Sequence, residues 1–422
     1  MKFLIKIKQN IFFKNIILLT SGSILAQFVV VLCAPIITRV YEVDEIGVYS
    51  YIIAMVSIFT AVLNLRYDMA IVVEKDEKNI YSIIKLSIII GIIFSSIATV
   101  IFGIYFIIFK VEYKNYRYIL LFYFILLVTN SLINVFNSYN NRYKEYKTMT
   151  MVYIIRTICQ NVGGILFGIF NFGMIGLLLS YTLGQFLGMK KQSSTLRTKL
   201  KDIWESSYQE MKRVAKIHKF FPLYSSPAMI ANSFSYSSIT IFMELLFDMK
   251  VVGYYSLSTR ILGLPLSLIS GNVSKVFFQE ASVEKSKRGN FCGSYRKTIS
   301  LLLVIAIPMG FVMYYFSPWL CGIFFGKSWI VAGEYIKILT PYYVFRFIGT
   351  TISPGLIVSK KQSQELIIQI LLVITSIFSF AVTLFTNMTV KNFLISISIT
   401  KSIVYIILIF LVWKNSKKNI EL

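Results

Sequence analysis

Residues 220–280 read FFPLYSSPAMIANSFSYSSITIFMELLFDMKVVGYYSLSTRILGLPLSLISGNVSKVFFQE. The stretch holds two apolar runs, 222–247 and 252–278, joined by a short turn. Each run is long enough to cross the hydrocarbon core of a bilayer as a helix, which takes about 20 residues. The stretch therefore predicts a transmembrane helical hairpin, and it lies near the middle of the chain.

The composition is that of a polytopic membrane protein. Of the 422 residues, 56% are hydrophobic, and the mean hydropathy is +0.70. The net charge of +24, from 43 Lys and Arg against 19 Asp and Glu, would suggest a nucleic-acid partner in a soluble chain. In a membrane protein the same excess is typical of cytoplasmic loops that fix orientation, so we expect no nucleic-acid partner.

Twelve apolar runs are candidate membrane spans. They lie near 15–38, 46–65, 83–109, 118–137, 149–170, 174–189, 222–247, 252–278, 297–316, 335–358, 364–386 and 392–413. If the N-terminus is cytoplasmic, the loops on that side hold 29 Lys and Arg and the opposite loops hold 6. Because positive charge accumulates on the cytoplasmic side, both termini are predicted to be cytoplasmic.

A short internal repeat divides the chain into two halves. The sequence IGVYS at 46–50 recurs as VGYYS at 252–256, and the longest predicted loop lies at 189–221. We predict an all-α fold with two six-helix lobes related by a parallel pseudo-twofold repeat. The predicted domains are an N-terminal lobe, a basic cytoplasmic linker and a C-terminal lobe, at 1–190, 191–221 and 222–422.

Several cationic side chains lie within or at the edges of the predicted spans. A charge at mid-membrane costs roughly 2.5–3.5 kcal/mol on the insertion scale, so such residues usually face protein or water. Lys85 and Lys275 lie at cytoplasmic helix ends and Lys337 at an outer end, where a long side chain can reach the interface. The six site candidates are Arg39, Arg66, Arg156, Arg260, Arg346 and Lys401, and Gln160 shares the helical face of Arg156. We predict that these seven residues line a cavity that binds an anion. Interfacial anchoring is the alternative for Arg39 and Arg66.

Embedded acidic residues are few, and Glu244 is the candidate for a coupling proton or sodium ion. The single histidine, His218, lies in the basic loop, and the four cysteines have no paired spacing. No phosphate-binding glycine loop or embedded carboxylate pair is present in the sequence. We therefore expect no catalytic, cofactor or metal site, and no enzyme activity.

Several short stretches resemble the polysaccharide-biosynthesis flippases, the O-antigen repeat-unit translocases of the multidrug, oligosaccharidyl-lipid and polysaccharide exporter superfamily. They are 41–50 with its Gly47, LRYDMAI at 65–71, GMIGL at 173–177, FPLY at 221–224, VGYYSL at 252–257 and RILGLP at 260–265. The resemblance implies a bacterial inner-membrane flippase that works by alternating access. Its substrate would be an O-antigen or capsular oligosaccharide on undecaprenyl pyrophosphate, whose headgroup suits a cationic cavity.

The resemblance also implies the partners. Besides the lipid-linked oligosaccharide and membrane lipids, these would include a glycan polymerase and other proteins of the same biosynthesis, around a monomeric transporter. The first alternative function is a cation-coupled drug antiporter of the same superfamily, which should carry acids in its first lobe. The second alternative is a membrane glycan polymerase or acyltransferase. The chain lacks the large outer loop expected of such a polymerase and the embedded histidine expected of such an acyltransferase.

Overall fold

The structure is a computed structural model that describes residues 11–109 and 117–417. Within these ranges, nine helical stretches are long and apolar enough to cross a membrane by length and composition. Three of the predicted loop or terminal segments, 1–15, 110–117 and 414–422, lie partly outside the described residues. The chain divides into two compact units. The first unit contains the described residues up to Tyr41 and Ile52–Ser233. The second unit contains Glu42–Tyr51 and the described residues from Phe234 onward.

Seven helices precede the basic loop. They are α1 (Ile11–Val40), α2 (Val43–Thr60), α3 (Tyr67–Val73), α4 (Glu77–Phe109), α5 (Arg117–Arg142), α6 (Tyr146–Ile169) and α7 (Gly173–Phe186). In the first unit α6 packs against both α1 and α7, and α4 packs against α5. With 33 residues, α4 is about 50 Å long, since a helix rises 1.5 Å per residue. It therefore exceeds the hydrocarbon thickness of about 30 Å.

The basic loop folds into four short helices. They are α8 (Met189–Gln192), α9 (Ser194–Arg197), α10 (Leu200–Glu205) and α11 (Tyr208–Ile217). Ser207 and Glu210 form a reciprocal capping box that fixes the start of α11. Leu196, Ile203 and Val214 are buried in a core shared with residues of α3, α4 and α5. The loop is thus anchored to the first unit by its own apolar side chains.

Eight helices follow. They are α12 (Ser226–Leu246), α13 (Met249–Pro265), α14 (Gly271–Arg288), α15 (Cys292–Phe324), α16 (Ile330–Ile352), α17 (Pro354–Val358), α18 (Gln362–Thr386) and α19 (Val390–Ser416). In the second unit α16 packs against α13, α15 and α19, and α18 packs against α19. A π-helical turn at Leu266–Ser270 joins α13 to α14. It follows Pro265, whose nitrogen carries no hydrogen and cannot donate a backbone hydrogen bond. The hydrogen-bond register of the helix therefore shifts after this residue.

Every predicted span overlaps a helix of the described ranges, and the all-α polytopic fold is confirmed. The span predicted at 252–278 covers most of α13, the π-turn and the first part of α14. The hairpin turn ends where the Asp248 side chain accepts a hydrogen bond of 2.7 Å from the Val251 amide, which caps α13. The helix pairs α4–α5 and α15–α16 are each in contact within their own units, as an internal repeat requires.

The two copies of the repeated pentapeptide lie against each other. Ser50 and Ser256 share a hydrogen bond of 2.6 Å. A Cβ atom placed on Gly47 would lie 1.9 Å from the Met249 carbonyl oxygen, and one on Gly253 would lie 2.2 Å from that of Val43. The start of α2 and the start of α13 therefore meet backbone to backbone, which only glycine permits at these two positions.

Candidate functional site

A polar cavity of about 480 Å³ lies within the second unit, between α12, α13 and α16. Its hydroxyl-bearing lining comes from all three helices: Ser235, Tyr236, Thr240, Tyr255, Thr259, Ser267, Tyr342 and Tyr343. One cation, Arg346, completes the wall. The cavity therefore combines hydrogen-bonding hydroxyls, aromatic faces and positive charge.

Arg346 is surrounded by tyrosine rings. Its guanidinium carbon lies 4.5 Å from the ring centre of Tyr236 and 5.3 Å from that of Tyr343. Nη1 donates a hydrogen bond of 3.3 Å to the Tyr342 hydroxyl, whereas the buried Nε has no hydrogen-bond partner among the described residues. The rings hold the guanidinium by cation–π contact and leave donor capacity for a ligand.

A second cation, Lys401 on α19, lies behind the same tyrosines. It is 1% exposed, and its ammonium group donates a hydrogen bond of 3.1 Å to the backbone carbonyl of Ser235. The ring of Tyr342 lies 5.9 Å from the Lys401 nitrogen and 5.9 Å from the Arg346 guanidinium. Both cations therefore contact the same ring, and an anion in the cavity would stabilise Arg346 directly and Lys401 from a greater distance.

Two other predicted residues lie on α6 of the first unit. Arg156 is 9% exposed, and its Nη2 donates a hydrogen bond of 2.6 Å to the Gln192 side chain. Gln160 is half-buried, and a Cβ atom placed on Gly184 would lie 2.4 Å from its Cγ atom. In the described structure Arg156 therefore ties α6 to α8, and Gln160 packs against α7.

The remaining predicted residues are dispersed. Arg39, near the end of α1, and Arg260, on α13, are exposed. Arg66 is half-buried and adopts the left-handed backbone conformation that precedes α3. Glu244 is 3% exposed near the end of α12, one helical turn beyond Thr240. Of the predicted cations, the structure thus brings Arg346 and Lys401 together, while a role for the others stays a prediction.

The sequence did not select the aromatic residues. Tyr343 lies three residues before Arg346 on the same helical face, but nothing in the sequence distinguishes Tyr236, Tyr255 and Tyr342 among its 27 tyrosines. Tyr342 and Arg346 are four residues apart on one helix, a spacing that brings side chains into contact. Tyr236 could not be found in this way, because it reaches Arg346 from another helix.

A sequence profile described as polysaccharide biosynthesis protein matches residues 36–334, well over half of the chain. The chain belongs to this family. A comparison with curated protein sequences finds no significant match.

Several solved structures share the fold of this family member. One, the inward-facing conformation of a MATE-family multidrug resistance transporter of the MOP superfamily, has a TM-score of 0.66 at 15% identity, covering 93% of each chain. The outward-facing conformation of such a transporter gives 0.60 at 16%, covering 96% of this chain and 97% of that one. A MOP-superfamily transporter from Pyrococcus furiosus, reported to have a binding pocket of reversed polarity, gives 0.60 at 15% with the same coverage.

Family and membrane-spanning helices together identify a multi-pass membrane protein of the polysaccharide biosynthesis family. Among the residues that the structure describes, no group of three His, Cys, Asp or Glu side chains could hold a metal ion. The tyrosine-lined cavity of the second unit, with Arg346 in its wall, is therefore the candidate binding site.

Proposed function

We propose that the protein is a flippase that moves oligosaccharides linked to undecaprenyl pyrophosphate from the inner to the outer leaflet of a bacterial inner membrane. The glycan is of the O-antigen or capsular type. The lobes at 1–190 and 222–422 would alternate access to the substrate, with residues 191–221 as the cytoplasmic linker and both termini in the cytoplasm. The family supports a role in polysaccharide biosynthesis, and the fold supports transport.

The observation that carries the proposal is an arginine surrounded by tyrosines in the wall of one cavity, with a buried lysine hydrogen-bonded to the wall residue Ser235. Arg346 offers a planar set of donors that matches phosphate oxygens, and Lys401 adds a buried positive charge. The faces and hydroxyls of Tyr236, Tyr255 and Tyr343 suit a sugar, which presents both C–H surface and hydroxyl groups. A cavity for a cationic drug would need the opposite charge.

One observation favours a second candidate function, cation-coupled antiport. Glu244 is almost fully buried on α12, the helix that supplies Thr240 to the cavity. A buried carboxylate in a membrane protein is a natural site for a proton or a sodium ion. In that case substitution of Glu244 would abolish transport, whereas neutralisation of Arg346 would leave drug transport intact.

The test is flipping of a fluorescent lipid-linked oligosaccharide by the full chain in vesicles. Arg346→Gln should slow flipping by about 10- to 100-fold, because it removes a charge-assisted contact of about 1.5–3 kcal/mol. Arg346→Lys should retain an intermediate rate, since it keeps the charge but not the planar donors.

The matched control is Arg296→Gln, which neutralises an exposed arginine near the start of α15 and should leave the rate unchanged. Unaltered flipping by a folded Arg346→Gln protein would refute the proposed role of the cavity. Transport of cationic drugs by the wild-type chain, with no movement of the lipid-linked sugar, would favour the antiporter.

A further inference from the structure

The second unit carries another depression, a groove of about 480 Å³ between α15, α16 and α19. It lies on the opposite face of α16 from the tyrosine-lined cavity. α16 presents Tyr343 and Arg346 to the cavity and Pro341 and Phe345 to the groove. The groove is a separate feature, and its lining is mostly apolar.

The surface around the groove is the kind that meets lipid chains. Val304 on α15 is 72% exposed, and Ile399 and Ile403 on α19 are 56% and 51% exposed. Ile307 and Phe311 extend the exposed apolar surface along α15. Such a surface on a multi-pass membrane protein faces hydrocarbon, so the groove opens sideways into the bilayer.

One end of the groove carries a positive charge. Lys337 is exposed, and its ammonium group lies 5.1 Å from the ring centre of Tyr314. Within the described part of the chain no salt bridge involves Lys337, whereas Lys391, at the start of α19, is bound to Glu334 at 2.7 Å. The charge asymmetry of the loops places this end of α16 at the outer leaflet.

The groove has the dimensions of a chain rather than of a headgroup. Lys337 and Phe345 are eight residues apart on α16, which is about 12 Å along the helix. A ligand that fits must be hydrocarbon over that length and anionic at the outer end. A lipid phosphate with a chain running into the bilayer has this chemistry.

We infer that the groove binds the hydrocarbon chain of a polyprenyl phosphate lipid, with Lys337 at its phosphate. The inference rests on the proposed function, because the carrier half of a lipid-linked oligosaccharide must stay in the bilayer while the sugar crosses the protein. Because Lys337 and Arg346 lie on opposite faces of α16, the two sites act in separate steps. The groove holds the carrier lipid with its phosphate at the outer leaflet, and the tyrosine-lined cavity receives the pyrophosphate and sugar during the crossing.

The experiment is native mass spectrometry of the full chain in detergent with farnesyl phosphate as the probe. Farnesol, inorganic phosphate and phosphatidylglycerol separate the contributions of the chain, the phosphate and an ordinary membrane lipid. Farnesyl phosphate should bind more tightly than each of the three. Lys337→Gln should weaken its binding by about tenfold, as expected for the loss of a charge-assisted contact.

Two matched controls keep the test specific. Lys391→Gln neutralises the lysine that is already paired with Glu334 and should leave farnesyl phosphate binding unchanged. Ile399→Trp should fill the groove and abolish binding, whereas Ile406→Trp, at an exposed position of the same helix outside the groove, should not. Thermal unfolding of each variant verifies that it is folded.

Equal binding of phosphatidylglycerol would overturn the inference in favour of a general lipid contact, and so would wild-type binding by Lys337→Gln. Vesicle flipping separates this inference from the proposed function. Flipping without farnesyl phosphate binding would contradict only the groove. Binding without flipping of any lipid-linked sugar would contradict only the proposed function.

Discussion

At the scale of single residues, the chain places charge where a neighbour can stabilise it. Arg346 is held by tyrosine faces, Lys401 by the carbonyl of Ser235, and Arg142 by the backbone carbonyls of Ile71 and Glu74 at the end of α3. Glu74 itself accepts a hydrogen bond of 2.9 Å from His218, at the end of α11. The only histidine in the sequence thus has a structural contact in the first unit.

This contact makes the docking of the basic loop sensitive to acid. Burial opposes ionisation of Glu74, but hydrogen bonds from the Asp76 amide, His218 and the Lys75 amide outweigh it and lower the pKa of Glu74 to about 2. A carboxyl group with a lowered pKa stabilises the fold above its ordinary pKa of 4.5, and this contribution is lost as the pH falls from there towards 2. Glu74→Gln should therefore lower the unfolding temperature at pH 6 by a few degrees and much less at pH 3.

The measurement is thermal unfolding of the detergent-solubilised full chain at both pH values. Glu280→Gln is the control, since its carboxylate is more exposed, at 42%, and its ion pair with Lys297 spans 3.4 Å. An equal loss of stability at pH 6 and pH 3 for Glu74→Gln would show that ionisation of Glu74 contributes nothing.

At the scale of helices, the decisive element is the contact between the first turns of α2 and α13. The contact depends on the absence of side chains at Gly47 and Gly253, because both helices approach within the space that a Cβ would occupy. Helices in lipid associate by close packing rather than by hydrophobic driving force, so small residues at such a crossing matter more than in water.

Gly253→Ala should accordingly destabilise the protein. The added methyl group meets the Val43 carbonyl oxygen, and overpacking of this kind costs about 1–3 kcal/mol. Gly263→Ala on the same helix is the matched control, because nothing lies within 4 Å of a Cβ there, and alanine favours a helix by about 1 kcal/mol over glycine. In detergent, the unfolding temperature should fall for Gly253→Ala and stay the same or rise for Gly263→Ala. The reverse order would contradict the close contact between α2 and α13.

At the scale of the whole molecule, the charge that crosses the membrane with the substrate determines whether the membrane potential can drive transport. On the proposed function, the moving pyrophosphate carries about two negative charges, and the cytoplasm is electrically negative. The membrane potential then favours outward movement by roughly 4.6 kcal/mol for two charges at 100 mV. Cavity cations such as Arg346 would offset part of this charge in the loaded protein and favour the return of the empty one.

Flipping in vesicles should therefore follow a clamped membrane potential without any proton or sodium gradient. Initial rates at several potentials provide the measurement, and Glu244→Gln tests the competing ion site. Flipping that ignores the potential but stops on Glu244→Gln would reject the electrical mechanism in favour of ion antiport.

The membrane class, the positions of the long apolar helices and the helical hairpin at 220–280 could be predicted from the sequence. These follow from local properties, since a run of about 20 apolar residues has few alternatives to a transmembrane helix. The cost of a charge in lipid also selected Arg346 and Lys401 as candidates before any contact was known.

Which candidates share a site depends on how the helices pack. Tyr236 reaches Arg346 from α12, Lys401 of α19 contacts the Tyr342 ring, and Arg156 instead binds Gln192 within the first unit. Periodicity specifies the face of one helix, but the partner of that face depends on how several helices pack. The groove beside Lys337 likewise exists only because α19 leaves a space where it packs beside the consecutive helices α15 and α16.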